Sequence, residues 1–148
     1  MNKDKILIKK IKNVPTPQRI GVGDWIDLCT AVDILLKKGD FVYIPLGVAI
    51  QLPKGYEALV VPRSSTFKKY GVLQANSIGI IDESYCGDND QWHFPVYATE
   101  EIFIPKHTRI CQFRVIEHQP NFDIVEVSEL GNKDRGGLGS TGTISFDK

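Results

Sequence analysis

No stretch of this sequence is apolar for long enough to cross a bilayer, and no charge of one sign dominates it. Lysine plus arginine and aspartate plus glutamate number 18 each, which argues against a general polyanion-binding surface and so against nucleic-acid binding. Basic residues gather only between Lys3 and Lys12, where lysine alternates with isoleucine and leucine. That alternation predicts a half-exposed strand, and the segment lacks the apolar centre of a signal peptide. Cysteine is scarce and odd in number: Cys29, Cys86 and Cys111, with no metal-ligand spacing. A reduced, cytoplasmic protein is the simplest account. The histidines His93, His107 and His118 lack ligand spacing as well, and the last two are expected in solvent at strand ends.

Helical periodicity is also nearly absent. Short apolar or alternating runs, punctuated by Gly, Pro, Asn and Asp, predict strands over Lys5–Lys12, Trp25–Leu28, Phe41–Ile44, Gly47–Leu52, Tyr56–Val61, Val72–Gln74 and Ser77–Asp82. Further strands are expected over Gln91–Ala98, Glu101–Ile104, Arg109–Ile116 and Phe122–Glu126. The only helix expected is Ser65–Tyr70, opened by serines that suit an N-cap. Many short strands with frequent turns point to an all-β sandwich, barrel or jelly roll. With 148 residues, one domain with a real core is expected. It should occupy residues 1–130, followed by a flexible C-terminal arm over 131–148, whose five glycines and few core residues cannot order it alone. Arg135, Ser140 and Thr141 in that arm carry phosphate-ligand chemistry on a flexible backbone, which suggests a segment ordered by its ligand.

Three stretches carry chemistry. In Asn76 to Asp90, NSIGIIDESYCGDND, a short apolar strand ends on the carboxylate of Asp82, with Tyr85 on the turn behind it. In Pro62-Arg63-Ser64-Ser65, amides and hydroxyls at a helix start make an anion site, and the Arg63 fork suits phosphate or carboxylate. In GDWIDL, Asp27 is a carboxylate that could share a divalent cation with substrate phosphates.

These segments, in this order, together with TRICQF (Thr108 to Phe113) and RGGLGSTG (Arg135 to Gly142), resemble the five motifs of the trimeric dUTP diphosphatases from Gly23 to Gly142. The resemblance implies a β jelly roll, a homotrimer with active sites shared between subunits, and Mg²⁺-dependent hydrolysis of dUTP to dUMP and pyrophosphate. That reaction keeps uracil out of DNA and supplies dUMP for thymidylate synthesis. It implies that Asp82 activates the attacking water, with Gln112 helping to hold that water, and that Tyr85 lies under the deoxyribose where a 2′-hydroxyl would clash. Asn76 and the backbone of Gly79, Ile80 and Ile81 border the nucleoside and α-phosphate. Arg63, Ser64 and Ser65 serve the phosphates, and Asp27 orients waters around Mg²⁺ held by the triphosphate. Arg135, Leu138, Ser140 and Thr141 belong to the closing arm. Asp90 is placed with the substrate-binding residues of the acidic patch.

The chain departs from that pattern in three places. Trp25 stands where a small residue is usual, DNDQWHF replaces the hydrophobic hairpin after Gly87, and Leu138 replaces an aromatic lid. Alternation puts Trp92 and Phe94 in the core and leaves His93 to cover the base. Two other readings remain open at this point: a dCTP deaminase of related fold, or a catalytically reduced member that senses nucleotide or binds a protein partner. A deaminase needs a glutamate beside the base; the nearest is Glu83, expected to face solvent.

Overall fold

The computed structural model describes residues 4–144; Lys3 of the basic segment and residues 145–148 of the arm lie outside them. The strands are β1 (Leu7–Lys10), β2 (Ile26–Cys29), β3 (Ile34–Leu36), β4 (Phe41–Pro45), β5 (Val48–Gln51), β6 (Tyr56–Pro62), β7 (Val72–Gln74), β8 (Gly79–Ile81), β9 (His93–Ala98), β10 (Ile102–Ile104) and β11 (Arg109–Glu117), with one short helix, α1 (Thr66–Tyr70), between β6 and β7. Every pairing is antiparallel. The four-stranded sheet runs β2-β11-β6-β8 and the three-stranded sheet β4-β9-β7, with the pairs β1-β5 and β3-β10 completing the walls.

The pleat explains which residues enter the core. In β9, Phe94, Val96 and Ala98 are fully buried and Tyr97 is exposed, as a period of two requires, although Pro95 on the other face is buried as well. Trp92, just before β9, is buried edge-on against Phe113 with ring centroids 5.2 Å apart. On β11 the alternation breaks, because Ile110 and Cys111 are adjacent and both buried. The register against β2 shifts between Arg109 and Cys111, and a bulge of this kind turns two successive side chains inward. The bulge also bends the strand where Arg109 leaves the core.

Two strand expectations need correction. β3 was not anticipated, because three residues are too few to show a period. Phe122–Glu126 alternates like a strand but has no ladder partner, and residues 118–144 are exposed throughout. No hydrogen bond or ion pair joins residues 120–144 to the barrel among the described residues.

Candidate functional site

The residues expected to act together fall into two groups at opposite ends of β6. The first group forms where β2, β6 and β11 meet the start of α1. Gln112 pairs in register with Asp27 on one side and Val61 on the other, so the two polar side chains share a sheet face. Asp27, Arg63, Ser64, Gln112, Trp25 and Arg109 line a cleft of about 270 Å³. The Asp27 Oδ2 lies 3.2 Å from Arg63 Nε and 3.3 Å from Arg109 Nη1, and its side chain is only 12% exposed. Arg63 Nη1 also donates to the Arg109 carbonyl at 3.3 Å. Two guanidiniums share one carboxylate there, and Asp24, also on the lining, is paired with Arg114, so two arginine forks are what the cleft offers an anion.

Arg109 was missed by sequence reasoning. It is the second residue of the quoted TRICQF segment, but nothing in that spacing brings it to Asp27, 82 residues away. Asp27 is not an open carboxylate in this fold: its Oδ2 is already the counter-ion of two arginines. Trp25 sits beneath Arg114, whose guanidinium carbon is 5.4 Å from the ring centroid, and Arg114 pairs with Asp24 at 3.3 Å. The bulky residue is thus accommodated at the cleft wall by a cation–π contact.

The serines do not cap α1 as expected. Ser65 is the N-cap residue but makes no side-chain cap bond. Instead Thr66 Oγ1 accepts the Arg63 N–H at 2.9 Å and donates to the Ile110 carbonyl at 2.8 Å, next to the bulge. Neither serine hydroxyl is hydrogen-bonded among the described residues, so both are open to a ligand. Thr66→Val is expected to lower stability by about 1–3 kcal/mol, since it leaves a buried N–H and carbonyl without their partner. Thermal unfolding of the variant checks this; an unchanged Tm would mean that the arginine-bearing turn is held elsewhere.

The second group sits at the far end of β6, on the exit from β8. Asp82 Oδ1 accepts the Ser84 N–H at 2.8 Å and the Ser84 hydroxyl, an Asx turn that aims the carboxylate outward. The Ser84 hydroxyl and then its amide hold the Asp82 carboxyl below the usual carboxylate range, leaving it ionised with Oδ2 free among the described residues. Tyr85 O–H donates to the Gln91 carbonyl at 2.9 Å, and His93 Nδ1 lies 2.9 Å from the same oxygen. The Tyr85 ring is thus held at its hydroxyl, while its backbone N–H donates to the Asp82 carbonyl at 3.0 Å. Trp92 and Phe94 are in the core as expected, and His93 is half-buried, edge-on to Tyr43 at 6.4 Å between centroids.

Asp90 holds the turn that begins at Gly87. Its Oδ2 accepts the Gly87 N–H at 2.8 Å and closes the turn, and a Cβ on Gly87 would come within 2.7 Å of that oxygen. Glu83, expected in solvent, is instead half-buried and bound to the Gly55 amide and His118. Asn76 is exposed in the turn before β8, and Gly79, Ile80 and Ile81 pair with Val60, Leu59 and Ala58. Within the arm, Arg135, Leu138, Ser140 and Thr141 are exposed and reach neither group.

Register sets the distance between the groups. Asp82 follows Ile81, which faces Ala58, while Arg63 lies beyond Pro62 at the other end of the strand. Asp82 thus falls level with Glu57, six residues from Arg63, and at about 3.3 Å per residue the two are roughly 20 Å apart. One copy of the chain therefore holds the two groups apart along β6.

The dUTPase family profile matches residues 12–143. A SPbeta prophage-derived deoxyuridine 5′-triphosphate nucleotidohydrolase of Bacillus subtilis (strain 168) is 61% identical over 121 residues, covering 82% of this chain and 85% of the relative. The deoxyuridine 5′-triphosphate nucleotidohydrolase of Finegoldia magna is 36% identical over 145 residues, covering 93% and 99%. Among solved structures, a mutant dUTPase of Staphylococcus bacteriophage 80alpha with dUpNHpp superposes with a TM-score of 0.78 at 19% identity, covering 94% of this chain and 99% of that one. A mutant dUTPase from phage phi11 of S. aureus, described for its coordination of a structural Mg(II) ion, superposes with a TM-score of 0.73 at 15% identity, covering 85% and 98%. At these identities the structural likeness speaks to the fold, an all-β jelly roll.

Proposed function

This chain belongs to the dUTPase family and is a deoxyuridine triphosphate nucleotidohydrolase, and we propose that its active site is assembled from the two half-sites of different copies in a homotrimer. The observation that carries the reading is Asp82: an ionised carboxylate at a rigid strand end, one oxygen held by Ser84, the other free, with a fixed tyrosine ring beside it.

In this reading Asp82 Oδ2 takes a proton from a water whose oxygen attacks the α-phosphorus. The bond from that phosphorus to the oxygen bridging the β-phosphate breaks, releasing dUMP and pyrophosphate. Gln112 of a second copy orients the water. Arg63, Ser64, Ser65 and Arg109 of that copy hold the phosphates, where preorganised donors stabilise developing charge. Asn76 and the Gly79 to Ile81 backbone border the nucleoside, and His93 covers the base. The arm closes over the γ-phosphate through Arg135, Ser140 and Thr141, with Leu138 at its turn.

The residues present fit a Mg²⁺ carried in by the triphosphate better than one held in a protein cage. No group of three or more His, Cys, Asp or Glu side chains is placed to hold a metal among the described residues, and Asp27 Oδ2 is committed to two arginines. Asp27 Oδ1 would hold a metal-bound water. When bound, Mg²⁺ neutralises phosphate charge.

Two features support the shared site. The half-sites are separated along β6, and Phe122–Glu126 is an alternating, exposed segment without an edge strand in its own chain. No helix among the described residues is long and apolar enough to cross a membrane, and with three free cysteines a cytoplasmic setting fits. The deaminase alternative loses ground because Glu83 is tied to Gly55 and His118.

Incubation with dUTP, the four common deoxynucleoside triphosphates and their ribo-counterparts should give pyrophosphate from dUTP. UTP should be a very poor substrate, and Tyr85→Ala should narrow the dUTP-to-UTP ratio of kcat/KM. Deamination of dCTP, or no turnover of dUTP, would overturn the reading.

A further inference from the structure

Three segments far apart in sequence meet beside Asp82. The turn between β5 and β6 contributes Gly55, in a left-handed conformation with φ of +89°. The turn after β8 contributes Glu83, and the exit from β11 contributes His118. Glu83 Oε1 accepts the Gly55 N–H at 3.1 Å, and the His118 N–H donates to the Gly55 carbonyl at 3.1 Å. Glu83 Oε2 and His118 Nε2 close the loop at 3.5 Å. Gly55 is thus gripped through both its amide and its carbonyl. The two side chains that meet there come from the residue after Asp82 and the residue where the C-terminal segment departs. The established chemistry uses neither Glu83 nor His118.

We propose that Glu83 and His118 are a positioning pair for dUTP hydrolysis, clamping the Asp82 turn and the root of the C-terminal segment to the Gly55 turn. This rests on the reading of Asp82 as the base. Glu83 shares a peptide unit with Asp82, so freeing its side chain loosens the carboxylate that must meet the water. His118 leads directly into the segment that continues to the arm, so the same contact fixes where that segment starts. The side chains are 34% and 46% exposed, and pairs of that kind contribute little to folding; variants should fold and report on positioning.

The clamp is complete when His118 is protonated. Its surroundings favour that form: the Gln119 carbonyl on Nδ1 raises its pKa most, desolvation then lowers it, and Glu83, Glu57 and Asp82 each add a further rise, so the net direction is upward. Lys54 lines the same groove and is the one cation facing this acidic set among the residues lining it. A raised imidazole pKa means the pair is present below the ordinary histidine value and is lost as pH rises through the raised one.

Steady-state hydrolysis of dUTP is measured from about pH 6 to 9 for the full-length parent, Glu83→Gln, His118→Gln and His118→Lys. The parent kcat should fall as His118 deprotonates. His118→Gln should show the reduced kcat, about three-fold, at every pH, with KM changing less. His118→Lys keeps a cation through the range and should hold the low-pH kcat into the alkaline region. A His118→Gln profile matching the parent, or a parent and His118→Lys that fall together, overturns the proposal. An NMR titration of His118 reads the pair without turnover: its pKa should be lower in Glu83→Gln than in the parent, and equal values overturn the pairing. Failure of the parent to hydrolyse dUTP overturns the proposed function instead.

Discussion

Asp82→Asn is expected to hydrolyse dUTP about 10²–10⁴-fold more slowly than the parent, the usual loss when general-base assistance is removed. Asparagine keeps the shape of the side chain, and its oxygen can still accept the Ser84 N–H, so the turn should persist and nucleotide binding should change little. Single-turnover hydrolysis alongside nucleotide affinity separates the two effects. Near-parental turnover would remove Asp82 from the mechanism. The same geometry fixes a pH dependence. Because Ser84 holds the carboxyl below the usual range, activity is retained until pH falls through that lowered value. Ser84→Ala should move the acid limb of kcat upward.

The second large effect is a recovery. Arg63→Ala removes a charge-assisted phosphate contact and should cost roughly 10- to 100-fold in kcat/KM. Asp27 keeps Arg109 as its partner, so the fold should survive. If Asp82 and Arg63 of one site come from different copies, refolding the two variants together in equal amounts creates sites that draw both intact residues. With random assembly about a quarter of the sites are of that kind, so the mixture should recover about a quarter of parental activity. A mixture no better than the average of its components would mean that each chain builds its own site.

Much of this fold is legible because burial is written in alternation: Phe94 and Val96 enter the core, and Tyr97 does not. Periodicity is silent where a strand is as short as Ile34–Leu36. At Phe122–Glu126 it states what the segment wants without stating who supplies the edge. The site is legible as residue types and less so as contacts. Asp82 and Tyr85 belong to one turn, and short spacing carries their relation. The ion pair from Asp27 to Arg109 is a tertiary fact set by strand register, and no local spacing encodes it. At the start of α1 the propensity of serine for the cap position was the stronger sequence signal. The hydroxyl that organises this turn is instead that of Thr66, which links the Arg63 amide to the Ile110 carbonyl on β11, a contact set by the folded sheet. Glu83 was likewise misplaced, since nothing local reveals that Gly55 presents its amide there.

The opposed ends of β6 have a genetic consequence. In the proposed assembly each copy lends one end to a site on its left and the other to a site on its right. A chain carrying both Asp82→Asn and Arg63→Ala would fold, assemble, and spoil two sites at once. A trimer containing one such chain would keep about one working site in three, so the defective allele would behave as dominant, suppressing normal copies made alongside it.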